Sequence, residues 1–274
     1  MTGRELRKAM HDGRRIFGTC VTVCQPGWAE LVASTGVDFV FIDSEHMPLG
    51  RPELAWMCRA FKALNVAPIV RVPKPDPYWG CMAFDAGATG VVFPYVETVA
   101  ETEALRGASK LRPLKGASLK SALDDIASLN AETQKYLGDR NASSLMIVNI
   151  ESQAAIDELD GILAVPGLDA LLIGPHDLSI NLGVPEQYGS DKFLDAVSTI
   201  ILKARERHVG AGIHWSGDVD QHISWTRHGG NFVVHSTDAV LMREAVASKV
   251  RTFKEALGET SGTKTNPENE APEV

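Results

Sequence analysis

The chain has 274 residues, 44% hydrophobic and 23% charged, an ordinary balance for a globular protein long enough to bury a sizeable core. A formal net charge of −8 gives no basic footprint for nucleic acid, and no apolar run approaches the roughly 20 residues needed to cross a bilayer. The expected setting is cytoplasmic, with no nucleic-acid partner and no membrane contact.

The chain opens with MTGRELRKAMHDGRR, basic but without a following apolar stretch, so it is not a secretory signal. It reads as a short amphipathic helix carrying Leu6 and Met10. Short apolar, β-branched runs then recur at residues 16–21, 37–42, 67–72, 90–94, 145–150, 168–174, 210–215 and 231–236. Helical patterns separate them. In SQAAIDELDGILA, Ile156, Leu159, Ile162 and Leu163 recur at helical spacing, and in DAVLMREAVASKVRTFKEAL the residues Leu241, Ala245, Lys249 and Phe253 mark successive turns. Strands that are apolar throughout belong to a parallel sheet buried on both faces. About eight βα units therefore predict a (β/α)8 TIM barrel with an N-terminal helix, as a single domain over residues 1–258. A doubly wound open sheet is the alternative, but GTCVTVCQPGW lacks the glycine fingerprint expected after its first strand.

Residues 109–144 hold strands four and five unusually far apart: KLRPLKGASLKS reads as an exposed basic loop and ALDDIASLNAETQKYL as an added helix. Residues 259–274 read as a disordered polar tail. Cys20, Cys24, Cys58 and Cys81 form no CxxC pair and are expected as reduced, mostly buried thiols.

In a barrel the C-terminal strand ends carry the chemistry. The second strand, in FVFIDSEHMPLG, delivers Asp43, Glu45 and His46; the third delivers Arg71; the fifth Asn149 and Glu151. The sixth ends in the turn Gly174, Pro175, His176, Asp177, and the last two give His214 and His235 with Ser236 and Thr237. Each has a plain alternative, since strand-end acids often cap the next helix. His214 and His235 read first as lining of the barrel mouth. Together the residues say more. Adjacent strands lie about 4.8 Å apart, so Glu151 and Asp177 can share one divalent cation. Two carboxylates without thiolate or paired imidazole ligands suit a hard ion such as Mg²⁺ or Mn²⁺ that keeps open positions. Arg71 supplies a permanent charge for an enolate, and Asp43 can orient His46 as a base.

DFVFIDSEHMPLG, PIVRVPKPDP, DAGATGVVFPYVETVAE, the stretch from VNIES to GPHDLSINLG, and GGNFVVHSTD resemble, in order, the HpcH/HpaI aldolases, over about residues 14 to 257. That resemblance implies a metal-dependent (Mg²⁺, Mn²⁺ or Co²⁺) class II aldolase. It would reversibly cleave 4-hydroxy-2-oxo acids to pyruvate and an aldehyde, through a pyruvate enolate held on the metal. It implies a homo-hexamer, a trimer of dimers with exchanged C-terminal helices. Carried over, Glu151 and Asp177 ligate the metal, Arg71 binds the keto oxygen, and His46 held by Asp43 is the acid–base group. Backbone amides around His176 and Asp177 hold the pyruvate carboxylate. Glu45 orders metal water, and Asp85 is an acid near the metal waters and the subunit boundary. The chain departs from the family pattern at Asn149, where glutamine is frequent, and at His176, where a small residue is frequent. It departs again in LKGASLKS, and at His214, Trp215 and His235. A CoA-ester lyase of the citrate lyase β-subunit type and a non-catalytic barrel are the competing readings. A Schiff-base aldolase would need an inward lysine, for which Lys74 is the nearest candidate.

Overall fold

The eight apolar runs form eight parallel strands that close on themselves, β1 pairing with β8, in a computed structural model that describes residues 1–259. The first half of the chain runs α1 (Gly3–His11), β1 (Ile16–Cys20), α2 (Pro26–Ala33), β2 (Phe39–Asp43), α3 (Arg51–Ala63), β3 (Ala67–Arg71), α4 (Pro77–Ala86), β4 (Gly90–Phe93) and α5 (Val99–Lys110). It continues through α6 (Gly116–Asp124), a 3₁₀ turn (Ile126–Ser128), α7 (Ala131–Asn141), β5 (Leu145–Ile150), α8 (Gln153–Asp157) and α9 (Leu159–Ala164). The remainder is β6 (Ala170–Ile173), α10 (Pro175–Asn181), α11 (Asp191–Glu206), β7 (Gly210–Trp215), α12 (Val219–Arg227), β8 (Phe232–Thr237) and α13 (Asp238–Ala256).

The strands are apolar throughout because both faces are buried. Alternate residues such as Phe39, Phe41, Ile69, Ile147, Leu172 and Phe232 fill the lumen, while Val40, Ile42, Val70, Val91, Val148 and Ile213 pack under the helices. The N-terminal helix has a structural task. A capping box between Thr2 and Glu5 starts it, and Leu6 and Met10 are fully buried in the lumen cluster. Met10 lies against the first residue of β7, where a Cβ on Gly210 would stand 3.0 Å from its side chain. Helix α1 thus stoppers the barrel at the strands' N-terminal ends. Asp169, buried just before β6, ties the same end together. It accepts from Arg7 Nε at 2.7 Å, Lys110 Nζ at 2.5 Å and Met146 N at 2.7 Å. The C-terminal strand ends are left to form the mouth.

Three expectations change. SQAAIDELDGILA is two helices, not one: Glu158 (φ −91°, ψ 3°) separates α8 from α9. The break lets Gly161 approach Val99 of α5 so closely that a Cβ would meet Val99 Cγ2 at 2.5 Å. KLRPLKGASLKS is not an exposed loop throughout. Lys110 is buried against Asp169, Leu111 is buried, the Arg112 guanidinium lies 4.1 Å from the centre of the Phe84 ring, and α6 begins at Gly116. ALDDIASLNAETQKYL is split among α6, the 3₁₀ turn and α7. Asp125 accepts from Ala127 N and Asn130 from Thr133 N, so each caps a new start.

Helix α13 follows the expected span but does not pack as an amphipathic helix on this barrel: Met242, Val246, Val250 and Phe253 are all exposed. No helix among the described residues is long and apolar enough to cross a membrane. The four cysteines are free, Cys20 and Cys58 buried and Cys24 and Cys81 half-buried. Apart from Glu259, the polar tail lies outside the described residues.

Candidate active site at the barrel mouth

Strand register explains the centre of the site. Asp43 and Arg71 are Cα partners on β2 and β3, each inward by alternation from Phe39 and Phe41 on one strand and Ala67 and Ile69 on the other. Their side chains meet in a two-point ion pair, with Nε donating to Oδ1 at 2.9 Å and Nη2 to Oδ2 at 2.6 Å. Both are buried. Burial alone would raise the Asp43 pKa, but the Arg71 hydrogen bonds and charge outweigh it and hold the carboxyl below its ordinary range. Arg71 Nε also stands 3.2 Å from Glu45 Oε2.

No direct Asp43–His46 hydrogen bond forms in this arrangement, although the His46 charge still acts on Asp43. Asp43 gives both oxygens to Arg71, and Oδ1 also accepts from the Glu45 backbone N–H at 3.0 Å. The carboxylate near the half-exposed His46 ring is Glu45, with Oε2 at 3.8 Å from Nε2. The physical reason is register: Asp43 is the last inward residue of its strand, whereas His46 lies beyond it in the loop.

Glu151 follows β5 and is buried. Its Oε1 accepts from Asn149 Nδ2 at 2.6 Å and its Oε2 from Tyr95 N at 3.1 Å. Glycine at 174 makes room for it, because a Cβ there would stand 2.2 Å from Oε1. Burial raises the Glu151 pKa to about 7; the Tyr95 and Asn149 hydrogen bonds and Arg71 oppose that rise, and Asp177 adds to it. Asp177 does not cap α10, whose N-cap is Gly174 with no side-chain bond. The charge of its carboxylate acts on Glu151 and, with those of Glu45 and Glu151, on the Tyr95 hydroxyl. No group of three or more His, Cys, Asp or Glu that could hold a metal occurs among the described residues. Two carboxylates, one of them buried and with its pKa raised to about 7 by that burial, fit a hard divalent cation whose other positions go to water and substrate oxygens.

Other expected residues fall elsewhere. Asp85 sits at the C-terminal end of α4, largely exposed, with Arg112 at 3.9 Å, so this chain does not bring it to its own mouth. The His176 ring is half-exposed and 3.8 Å from Glu186. His214 is inward, stacked against Phe41 at 5.0 Å, and burial pushes its pKa down to about 3. His235 is not lining of the mouth: it alternates outward on β8 and meets His222 of α12, with the two Nδ1 atoms 3.1 Å apart. Trp215 likewise turns to the helix layer, edge-on to Tyr188 and Trp225. Lys74 is exposed beside Asp76. Lys110, whose pKa burial lowers to about 8, lies at the stoppered end.

Tyr95, just beyond β4, went unmarked in the sequence. It adopts a left-handed backbone (φ 54°), uncommon for a bulky residue, and burial first, then the Glu45 carboxylate, raises the pKa of its hydroxyl. Reading the end of the fourth strand as the other rims were read, at FPYVET, would have found it.

The sequence profile of the HpcH/HpaI aldolase/citrate lyase family matches residues 18–245. The chain belongs to this family. It is an enzyme of the carbon–carbon lyase class. Among its relatives, a 2-keto-3-deoxy-L-rhamnonate aldolase of Salmonella paratyphi B is 28% identical over 250 residues, 90% of this chain and 92% of the relative. The solved structure of an HpcH/HpaI aldolase/citrate lyase family protein from Burkholderia cenocepacia J2315 superposes with a TM-score of 0.78 at 26% identity, covering 92% of this chain and 99% of that one. The citrate lyase β subunit from M. tuberculosis, solved with oxaloacetate and magnesium, is a more distant likeness of fold. Its TM-score is 0.54 at 15% identity, over 83% of this chain and 93% of that one.

Proposed function

We propose that this member of the HpcH/HpaI family is a divalent-metal-dependent pyruvate aldolase acting on 4-hydroxy-2-oxo acids. The observation that carries the reading is the buried Arg71, held by Asp43 and facing the buried Glu151 carboxylate beside Asp177. Glu151 and Asp177 would hold the cation, with Mg²⁺, Mn²⁺ and Co²⁺ all compatible with two carboxylates. Once bound, the cation supplies Lewis-acid charge to the oxygens of the 2-oxo acid.

The chain's own groups do the rest. The first-turn N–H groups of His176 and Asp177 receive the substrate carboxylate. Arg71 donates to the keto oxygen as negative charge grows there. His46 takes the proton from the C4 hydroxyl; the C3–C4 bond breaks, its electron pair enters the enolate, and an aldehyde leaves. Protonation at C3 gives pyruvate.

The exposed apolar residues of α13 support assembly into a hexamer in which that helix is covered by another copy. At such a boundary Asp85, remote from its own mouth, can serve a neighbouring one. The exposed Lys74 and the distant Lys110 give a Schiff-base mechanism no lysine at the mouth.

The test is a panel of aldehydes offered with pyruvate to metal-supplemented protein, read by product mass, with the 3-deoxy-2-oxo sugar acid named for the Salmonella relative offered in the cleavage direction. Condensation that EDTA abolishes is expected, from a species sedimenting as a hexamer. Inactivation by pyruvate with borohydride, together with indifference to EDTA, would overturn the reading.

A further inference from the structure

Around the barrel, the groups assigned so far occupy one arc. Strands β2 and β3 supply Asp43 and Arg71, β4 leads to the Tyr95 N–H that meets Glu151, β5 leads to Glu151 itself, and β6 leads to Asp177. The ring closes through β7, β8 and β1, which supply none of them. Inward on those three strands stand His214, its register partner Val234, and Cys20. Of these, His214 alone offers strong hydrogen-bonding atoms. Its ring packs on Phe41 in the lumen, centroids 5.0 Å apart, and Nε2 is buried without a hydrogen-bond partner. The residue as a whole is only half-buried, and α1 closes the far end of the lumen, so its open edge faces the mouth. A half-turn about χ2 exchanges the two nitrogens between these settings without changing the shape of the ring. Burial pushes the pKa down to about 3, so near neutrality the imidazole carries one donor, one acceptor and no charge.

The same arc is poor in positive charge. Arg71 is the only lysine or arginine on the eight strands, and Asp43 takes two of its donors. The connections after β1 and β7, residues 21–25 and 216–218, contain neither residue type, and β8 runs directly into α13. Lys74 and Arg51 lie on the β2–β4 side, engaged with Asp76 and the Tyr78 hydroxyl. On the aldolase reading, the carboxylate and keto oxygen of the 2-oxo acid are held between β3 and β6, which leaves the arc of β7, β8 and β1 for the rest of its chain. We infer that His214 is a specificity-determining residue for the acceptor: it hydrogen-bonds a hydroxyl on the carbon next to the aldehyde, C5 of the cleaved acid, and selects uncharged hydroxyaldehydes over carboxylated or phosphorylated ones. The inference rests on the aldolase reading and deepens it. A carboxylate or phosphate brought to this arc loses hydration with no cation to replace it, whereas a hydroxyl finds both a donor and an acceptor in one neutral ring.

Glycolaldehyde and propanal test it, since they differ only by a hydroxyl in place of a methyl on that carbon. With pyruvate and Mn²⁺ saturating, kcat/KM for glycolaldehyde is expected to exceed that for propanal on the order of tenfold, the worth of one hydrogen bond between neutral groups. Succinic semialdehyde, which carries a carboxylate, should fall below glycolaldehyde. His214→Phe keeps a ring on Phe41 and removes both nitrogens. In it the glycolaldehyde-to-propanal ratio should fall to about one, chiefly through KM for glycolaldehyde, and His214→Gln, which keeps a donor and an acceptor, should recover part of it. Each ratio is taken within one protein, so a loss of folded enzyme cancels. His214→Leu gives the same comparison with a smaller side chain should the phenylalanine variant not fold. A ratio near one in the unsubstituted enzyme, a preference for succinic semialdehyde, or an unchanged ratio in His214→Phe would overturn the inference and leave the aldolase reading standing. Absence of product from every aldehyde with pyruvate and metal would overturn the aldolase reading, and this inference with it.

Discussion

At the scale of single residues, Arg71 makes the site intelligible. A guanidinium buried in a barrel lumen persists only if its charge is met, and Asp43 meets it at two points from the adjoining strand. That leaves part of the fork near Glu45 and the mouth, where a developing oxyanion would lie. Lysine keeps the charge but not the fork. Arg71→Lys is therefore expected to lower kcat/KM on the order of 100-fold while circular dichroism still shows a folded barrel. Near-normal kcat/KM would mean that the fork is structural. The sequence made Asp43, Glu45, His46, Arg71 and Glu151 conspicuous because each ends or follows an apolar run. It did not reveal their pairing. Three residues of separation suggested that Asp43 serves His46, but side-chain partners across a parallel sheet are set by register, and register opposes Asp43 to Arg71. Asn149 is a similar case. Its short side chain bonds Glu151 directly at 2.6 Å, a contact visible only once both are in place.

At the scale of elements, the strands were legible to within two residues at either end because a strand buried on both faces leaves an unbroken apolar run. The helices were less so. Periodicity marked Ile156, Leu159, Ile162 and Leu163 as one helix; the break at Glu158 is made by the approach of α9 to α5, a tertiary contact. His235 was expected in the mouth because it follows three apolar residues, yet strand alternation turns it toward α12. The stopper helix α1 and the Asp169 knot behind it were legible only as an amphipathic pattern. In that knot Arg7 and Lys110 converge on one buried carboxylate, and burial still lowers the Lys110 pKa to about 8. Asp169→Asn would strand both cations, with an expected loss of about 3 kcal/mol of stability. Urea denaturation would show it as a lower midpoint with an unchanged slope. Because the knot is at the closed end, kcat per folded molecule should hold. A midpoint within error of the unsubstituted protein would mean that the knot contributes specificity of packing rather than stability.

At the scale of the whole molecule, Glu151 and the histidines of the β7–β8 side carry opposite pH dependences, and a bound cation would remove the first. Glu151 is raised from an ordinary 4.5 to about 7 by burial. Its folded form holds a proton that the unfolded chain releases, so without metal its contribution to stability is full below about 4.5 and falls by roughly 3 kcal/mol as pH rises to 7. His222 is lowered from 6.5 to about 4, chiefly by burial and next by His235, and His214 is lowered to about 3. The unfolded chain binds these protons first, so the histidines stabilise the fold above about 6.5 and that stability is lost as pH falls through 4. In metal-free protein the two histidines outweigh the one carboxyl between about pH 4.5 and 6.5, so stability should still rise with pH there, by roughly 1.4 kcal/mol per unit. A cation on Glu151 and Asp177 displaces the Glu151 proton, which removes the offsetting trend and exposes the histidine one. Thermal melts with saturating Mn²⁺ should therefore fall steeply from about pH 7 to pH 5, and the rise in Tm produced by Mn²⁺ should shrink over the same interval. A metal-induced rise of constant size across that range would mean that the cation does not bind at the Glu151 carboxylate.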